Sequence, residues 1–529
     1  MDSSALRFPP QRPSGWYQSA LKRVNQIACL TTLATACALC SGGCARAPEA
    51  PSGLVVALES DPQSLDPRFG VDAATSRVAD LLHVALTRSD PHAGRLPELA
   101  SDWSWLDDRT LRLRLRDDVR FADGRTVGAS DVRATYEAVR DPAIGSPRRA
   151  TLASLDRIET PDDRTVVMHL VAPDAAFLDA TGLPILPAEH ARDAAEVTLG
   201  AGPFRLVEVR RGDRIVLAPN PHWIGGAPRI DPLVLRIVPD AVVRVLEIEH
   251  GGIGLLQETL EPELLARLRG VPSIRIDQSP GNSVAYLALN LRDPRLAHRR
   301  VREAIALALD RPALARALYG DTARPATGLL APEHWAYAAL PPLPFAPARA
   351  RRLLDRAGFP DPDGPGPRAR FRIVYKTSNQ PARRRLAEAI QAALSAVGIA
   401  VDVRTYEWGT LFADVRAGRF EMAAMAWVGV ADPDLYRLAY HSRMQPPVGF
   451  NRGGYVSRAM DRLTELGDRT LDPARRRAIY ARVQRRAAHD LPVIPLWWED
   501  RLVVSTRRLH GFTPQPSGDL GTLAGAWLE

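Results

Sequence analysis

A mixed α/β fold is predicted by three features of the sequence. Thr110 to Arg116 alternates strictly, with Leu111, Leu113 and Leu115 on one face and Arg112, Arg114 and Arg116 on the other, the period-two mark of a half-buried strand. Phe371 to Tyr375 and Ile399, Val401 and Val403 repeat that strand signal, and between them Leu386, Ile390, Leu394 and Val397 recur at helical spacing. Strand, helix and strand within residues 371–403 form a βαβ unit, which implies a parallel pair with a right-handed crossover. Third, Val301, Ile305 and Leu309 mark a buried helical stripe.

Taken in order, the chain opens on a leader. Lys22-Arg23 precedes an apolar stretch from Ile27 to Leu39, and small residues Ser41-Gly42-Gly43 lead to Cys44. A basic start, a short apolar core and a small-residue exit read as a secretory signal over residues 1–43, too short for a stable membrane span. Two processing outcomes fit. Gly43-Cys44 resembles the end of a bacterial lipobox, which makes Cys44 a lipidated first residue, although Ser41 stands where such boxes usually carry leucine. Ordinary cleavage after Ala36 or Ala47 is the alternative. Residues 44–51 then form a polar tether, and the apolar run Leu54 to Leu58 predicts a buried strand. Further on, Asp310 is placed to cap a helix with Pro312 in its first turn and Gly320 at its exit, and Gly398 ends the helix of the βαβ unit. A last helix, Pro473 to Ala488, carries six arginines with Ile479 and Val483 and is expected to be a solvated amphipathic helix.

Composition excludes several classes. The chain has 529 residues, 46% hydrophobic and 25% charged, which is ordinary for globular proteins and predicts two to four domains. All four cysteines lie within residues 29–44, so neither disulfides nor zinc thiolates hold the main body. Lys+Arg 69 against Asp+Glu 61 gives +8, and only Lys22 and Lys376 are lysines. The leader holds four basic residues and one acidic residue, so its removal takes the charge from +8 to +5. Acidic and basic residues alternate throughout, which describes a mixed solvated surface rather than a nucleic-acid face. Neither lysine follows a glycine, so a Walker loop is absent, and His-Glu-x-x-His and Gly-x-Ser-x-Gly are absent too. The 11 histidines are dispersed and assemble no nickel or haem ligand set, so no metal or cofactor is expected.

The order of segments adds a resemblance. Leu96-Pro97-Glu98-Leu99-Ala100-Ser101-Asp102-Trp103, then Leu115 to Val127 and Ala129-Ser130-Asp131-Val132, are followed by Gly200 to Phe204 and Asn220-Pro221-His222-Trp223. Val238 to Arg244, Leu287 to Asn290, Val301 to Ile305, Arg419 to Trp427, Leu491 to Leu496 and Gly511-Phe512 complete the series. This resembles the oligopeptide/dipeptide/nickel family of ABC-transporter solute-binding proteins, family 5, over about residues 52–515. The resemblance implies a two-lobed, class II-like periplasmic-binding-protein fold with an extra inserted N-terminal domain. Carried over, lobe I is residues 52–84, 200–283 and 500–529, the insertion 85–199 and lobe II 284–499.

That fold implies a non-catalytic receptor, outside the cytoplasm or in the periplasm, that closes over a peptide or peptide-like solute and presents it to a permease and ATPase. A monomer is implied, with no nucleic-acid partner and with membrane contact only through a lipid on Cys44. A secreted envelope hydrolase, or a sensor or chaperone of the same fold, are the alternatives. Peptide-binding relatives usually place a carboxylate three residues after the tryptophan matching Trp427, against the ligand amine; here that residue is Val430, and the nearest acid is Asp432. If Asp432 takes that role, Asp432→Asn weakens free-amine ligands and spares N-acetylated ones; Asp432 is equally an Asp-Pro turn former. Trp427 is expected to wall the pocket, Lys376 to pair a ligand carboxylate and Asn451 to bond a ligand backbone, while Trp497 is a candidate cleft residue at the end of a strand. Core packing for the tryptophans, a surface place for Lys376 and a loop role for Asn451 are the competing readings.

Overall fold

The computed structural model describes residues 53–529 except 71, 194, 195, 259 and 365. The signal segment, the tether and Cys44 lie outside the described residues. Leu54–Leu58 is a strand with every residue buried, as its uninterrupted apolar run requires. It sits in an eleven-stranded mixed sheet. Ten strands run in order from Ile399–Tyr406 through Phe371–Ser378, Met422–Trp427, Ile274–Leu289, Val493–Thr506, Leu255–Gln257, Leu54–Leu58, Leu233–Ile237 and Arg214–Pro219 to Phe204–Arg210, and the eleventh, Ala323–Pro325, pairs with Val493–Thr506 beside this path.

Two strands cross the middle. Ile274–Leu289 and Val493–Thr506 pair antiparallel, and each is long enough to serve two cores. At one end Ile274, Leu502 and Val504 pack with Val55 and Leu265. At the other, Leu287, Leu289, Ile494 and Leu496 pack with Ile305, Ile373 and Ile390. Between the ends the register shifts from Ser279 to Ser283. Gly281 lies in that bulge because a Cβ there would meet the Glu499 carbonyl oxygen at 2.3 Å.

The βαβ unit forms as its spacing predicts: Phe371–Ser378 and Ile399–Tyr406 pair parallel, joined by helix Pro381–Ser395. Its inner face, Leu386, Ile390 and Leu394, is fully buried. Gly398, at φ +86°, makes the turn from helix into strand that a side chain would strain. Asp310 caps Arg311–Tyr319 by accepting from the Ala313 N–H at 3.0 Å, with Gly320 at the far end.

A separate four-stranded sheet orders Ala100–Trp105, Thr110–Leu115, Thr165–Leu170 and Leu155–Asp162. Leu111, Leu113 and Leu115 face its core beside Val132, Tyr136 and Met168, and Arg112 and Arg114 face solvent. Helix Ala129–Arg140 covers it.

Two expectations are corrected. Trp497 and Trp498 do not end a strand; Val493–Thr506 continues through Glu499-Asp500-Arg501. Those charged residues look like a loop, but Asp500 is paired inside the sheet by the Arg324 guanidinium at 2.9 Å and by the Gln278 amide at 2.9 Å. Helix Pro473–Asp490 is amphipathic as expected, yet one of its six arginines, Arg476, is buried.

Candidate functional site

The site is built at the end of Met422–Trp427. Val284 pairs with Trp427 and Tyr286 with Met425, so Tyr286 and Trp427 are diagonal neighbours on one face of the sheet. Their rings stack at 5.9 Å with 12° between planes. Phe450 leans on Trp427 at 5.1 Å, and helix Trp408–Arg416 brings Phe412 to the same place. Phe450 and Trp408 are 42% and 46% exposed. Tyr286, Trp427, Phe450, Asn451, Arg452 and Pro492 line a common recess.

Trp427 is thus a wall of the recess. Asn451 is at the recess but fully committed: its amide donates to the His441 and Tyr455 carbonyls at 3.1 and 2.7 Å, and its oxygen accepts from the Tyr455 N–H at 2.9 Å. It holds the loop that presents Arg452.

Asp432 stands elsewhere. The Arg476 guanidinium donates to both of its oxygens at 2.7 Å, and Asp432 Oδ1 also accepts from the Asp434 N–H at 2.7 Å, an Asp-Pro turn with its charge matched. Burial works against the Arg476 charge, but the Asp432 carboxylate outweighs it and holds the Arg476 pKa above its ordinary value. His334 fixes the same corner, its ring bonded to the Ala431 carbonyl at 3.0 Å; burial pushes its pKa down to about 4, so it is neutral. Val430 is buried with Ala326, Leu329 and Tyr436 in an apolar environment.

Lys376 is bonded to Asp414 at 2.7 Å and lies 5.0 Å from the Tyr406 ring centroid. Asp414 also pairs Arg419 at 2.8 Å, and its hydrogen bonds to these two cations hold its pKa below the usual carboxylate range. Trp497 is 0% exposed and packs in the core with Ile305 and Leu496, which burial of its large ring favours over a place at the cleft surface. Of the five candidates, then, only Trp427 and Asn451 share the recess.

Tyr286, Phe412, Phe450 and Arg452 escaped sequence reasoning. Tyr286 and Phe412 reach Trp427 through sheet register and helix packing, which no local pattern encodes. Arg452 is one arginine among 67 and carried no distinguishing signal. Tyr440 and Val493 also line a larger cavity of about 320 Å³ with Leu329, Leu343, Tyr436 and Ala487. No charged side chain lines that cavity, so it offers a charged solute end no partner. Among the described residues no group of three or more metal-ligating side chains occurs, and no helix is long and apolar enough to cross a membrane.

Residues 96–445 match the family model described as bacterial extracellular solute-binding proteins, family 5. The chain is 29% identical to di/tripeptide-binding protein 2 of Pseudomonas aeruginosa, over 88% of this chain and 93% of that protein. It is 27% identical to the glutathione-binding protein GsiB of Escherichia coli, over 88% and 93%. Among solved structures, the substrate-binding protein CtaP of Listeria monocytogenes superposes with a TM-score of 0.81 at 23% identity, covering 90% of this chain and 99% of that one. The periplasmic binding protein DppA of Helicobacter pylori, in complex with the peptide STSA, superposes with a TM-score of 0.75 at 25% identity over 90% and 98%. The mixed α/β architecture is therefore the periplasmic-binding-protein fold. The chain belongs to the bacterial extracellular solute-binding proteins, family 5, the solute-binding receptors of ABC importers.

Proposed function

We propose that this receptor captures a peptide or peptide-like solute against the Trp427 wall and releases it chemically unchanged. The aromatic face formed by Trp427 and Phe450, backed by the buried Tyr286 ring, carries the reading, because aromatic rings hold an extended chain through area and shape with little demand on its side chains. Relatives named for di/tripeptides and glutathione support the ligand class. In this reading residues 52–84, 200–283 and 500–529 form one lobe and 284–499 the other, with 85–199 inserted. The two long strands are the natural hinge, and the Gly281 bulge is the point at which they flex. A ligand closes the lobes only by its greater affinity for the closed form.

The receptor works outside the cytoplasmic membrane as a monomer, tethered through a lipid on Cys44, and hands its solute to a permease driven by a separate ATPase. The test is tryptophan fluorescence and calorimetric titration with a defined set of di- to pentapeptides, followed by mass analysis of the recovered solute. Saturable binding of one length class with unaltered mass supports the proposal. Binding confined to sugars or metal chelates, or a solute recovered in pieces, rejects it.

A further inference from the structure

The Arg452 guanidinium is an unmatched positive charge inside the recognition surface. Arg452 is 9% exposed. Its guanidinium carbon lies 4.9 Å from the Trp427 ring centroid, 5.3 Å from that of Phe412 and 5.8 Å from that of Phe450. Nη1 donates to the Tyr286 hydroxyl at 3.1 Å, while Nε is buried with no hydrogen-bond partner. Ring faces attract a cation but do not neutralise it, and a guanidinium carries five donors.

Other buried arginines are met by acids or by several carbonyls: Arg476 meets Asp432 and Arg244 meets Glu258, Arg302 donates to the Leu491 and Leu296 carbonyls at 2.8 Å, and Arg311 to the Ala326, Pro495 and Leu343 carbonyls at 2.7–3.0 Å, whereas the Arg452 guanidinium meets one hydroxyl. Among the described residues no carboxylate lies within ion-pair distance of Arg452. The neighbouring cation has none either: Arg292 donates to the Arg452 carbonyl at 3.0 Å and to the Gln445 side chain at 2.6 Å, both neutral acceptors. A buried charge without a counter-ion is costly to hold, and the cost is recovered when an anion arrives. For a ligand amine, by contrast, Val430 is apolar and buried and Asp432 is already paired with Arg476.

We propose that Arg452 is an anion subsite that anchors a ligand carboxylate at the Trp427 wall. The preferred solutes are acyl-blocked or otherwise amine-free peptidic acids. The carboxylate accepts charge-assisted hydrogen bonds from the guanidinium, and the aromatic rings exclude water from the pair. This rests on the reading of the protein as a peptide-class receptor and adds the polarity of its site.

The test is calorimetric titration of the purified protein with three probes: N-acetyl-trialanine, N-acetyl-trialanine amide and trialanine amide. The expected result is that the acetylated acid binds at least 30-fold more tightly than its amide, and that trialanine amide binds no better than the latter. In Arg452→Gln the preference for acid over amide should fall to within threefold, and Arg452→Lys should keep part of it. Equal binding of acid and amide by the unmodified protein overturns the subsite and leaves the peptide reading standing. A full acid preference retained by a folded Arg452→Gln does the same. Should Arg452→Gln fail to fold, the acid-to-amide ratio of the unmodified protein decides. Binding of none of the three probes overturns the peptide reading, and this proposal with it.

Discussion

Asp432 shows how far a side chain's role depends on a partner distant in sequence. Its acidity and its place after Trp427 are visible in the sequence, but Arg476 lies on the helix Pro473–Asp490, 44 residues on, and is one of six arginines there. The pair is bidentate and its members are 6% and 16% exposed, so removing one charge strands the other. Asp432→Asn should therefore lower stability by about 3 kcal/mol and weaken free-amine and N-acetylated ligands to the same extent. Urea unfolding of the variant, with titration of both ligand types, checks this; selective loss of free-amine ligands would restore the amine contact to Asp432. Trp427→Ala is the opposite case. It removes the stacking partner of Tyr286 at a partly buried position, so binding by the folded variant should fall at least tenfold, with some loss of stability from the two clusters that Trp427 packs against.

At the level of elements, alternation and helical spacing were enough for the Thr110–Leu115 strand and the βαβ unit, because burial of one face dictates both patterns. The sequence shows the strand Val493–Thr506 only as far as its tryptophans, because the apolar pattern breaks at Glu499-Asp500-Arg501. Its charges are tolerated only because Arg324 and Gln278 meet Asp500 from neighbouring strands. Gly281 was silent for the same reason: a contact with the Glu499 carbonyl exists only once the strands pair. Gly281→Ala should cost about 1–3 kcal/mol through that clash, whereas Gly525→Ala, where a Cβ meets nothing within 4 Å, should be near neutral. Paired denaturation curves of the two variants test the bulge.

Glu98, which follows strand Arg95–Pro97, makes a pH prediction. Burial pushes its pKa up to about 7 from 4.5, against the Ala85 N–H donated to its carboxylate at 2.9 Å. The folded state then holds a proton that the unfolded chain releases, so this group's contribution to stability is full below pH 4.5 and is lost as pH rises through 7. Glu98→Gln keeps the acceptor and removes the titration. Thermal midpoints measured from pH 4.5 to 7.5 should fall less steeply in the variant; parallel profiles would contradict the assignment.

For the whole molecule, the architecture was legible through the order of many weak segments, since a shared fold constrains their sequence along the chain. The proposed recognition surface was legible only at Trp427. Tyr286, Phe412 and the Phe450–Arg452 loop come from three separate segments and meet only after the sheet has formed. That meeting makes a wall of rings around a cation, in a sheet spanned by two long strands with a bulge between their two cores, and in the proposed function this wall holds the solute. Native mass spectrometry of the protein incubated with a defined pool of free and N-acetylated short peptides tests this most directly. The account predicts a one-to-one adduct whose released peptide has its original mass and whose formation is lost in Trp427→Ala. A peptide released with a changed mass, or an adduct indifferent to Trp427, would contradict it.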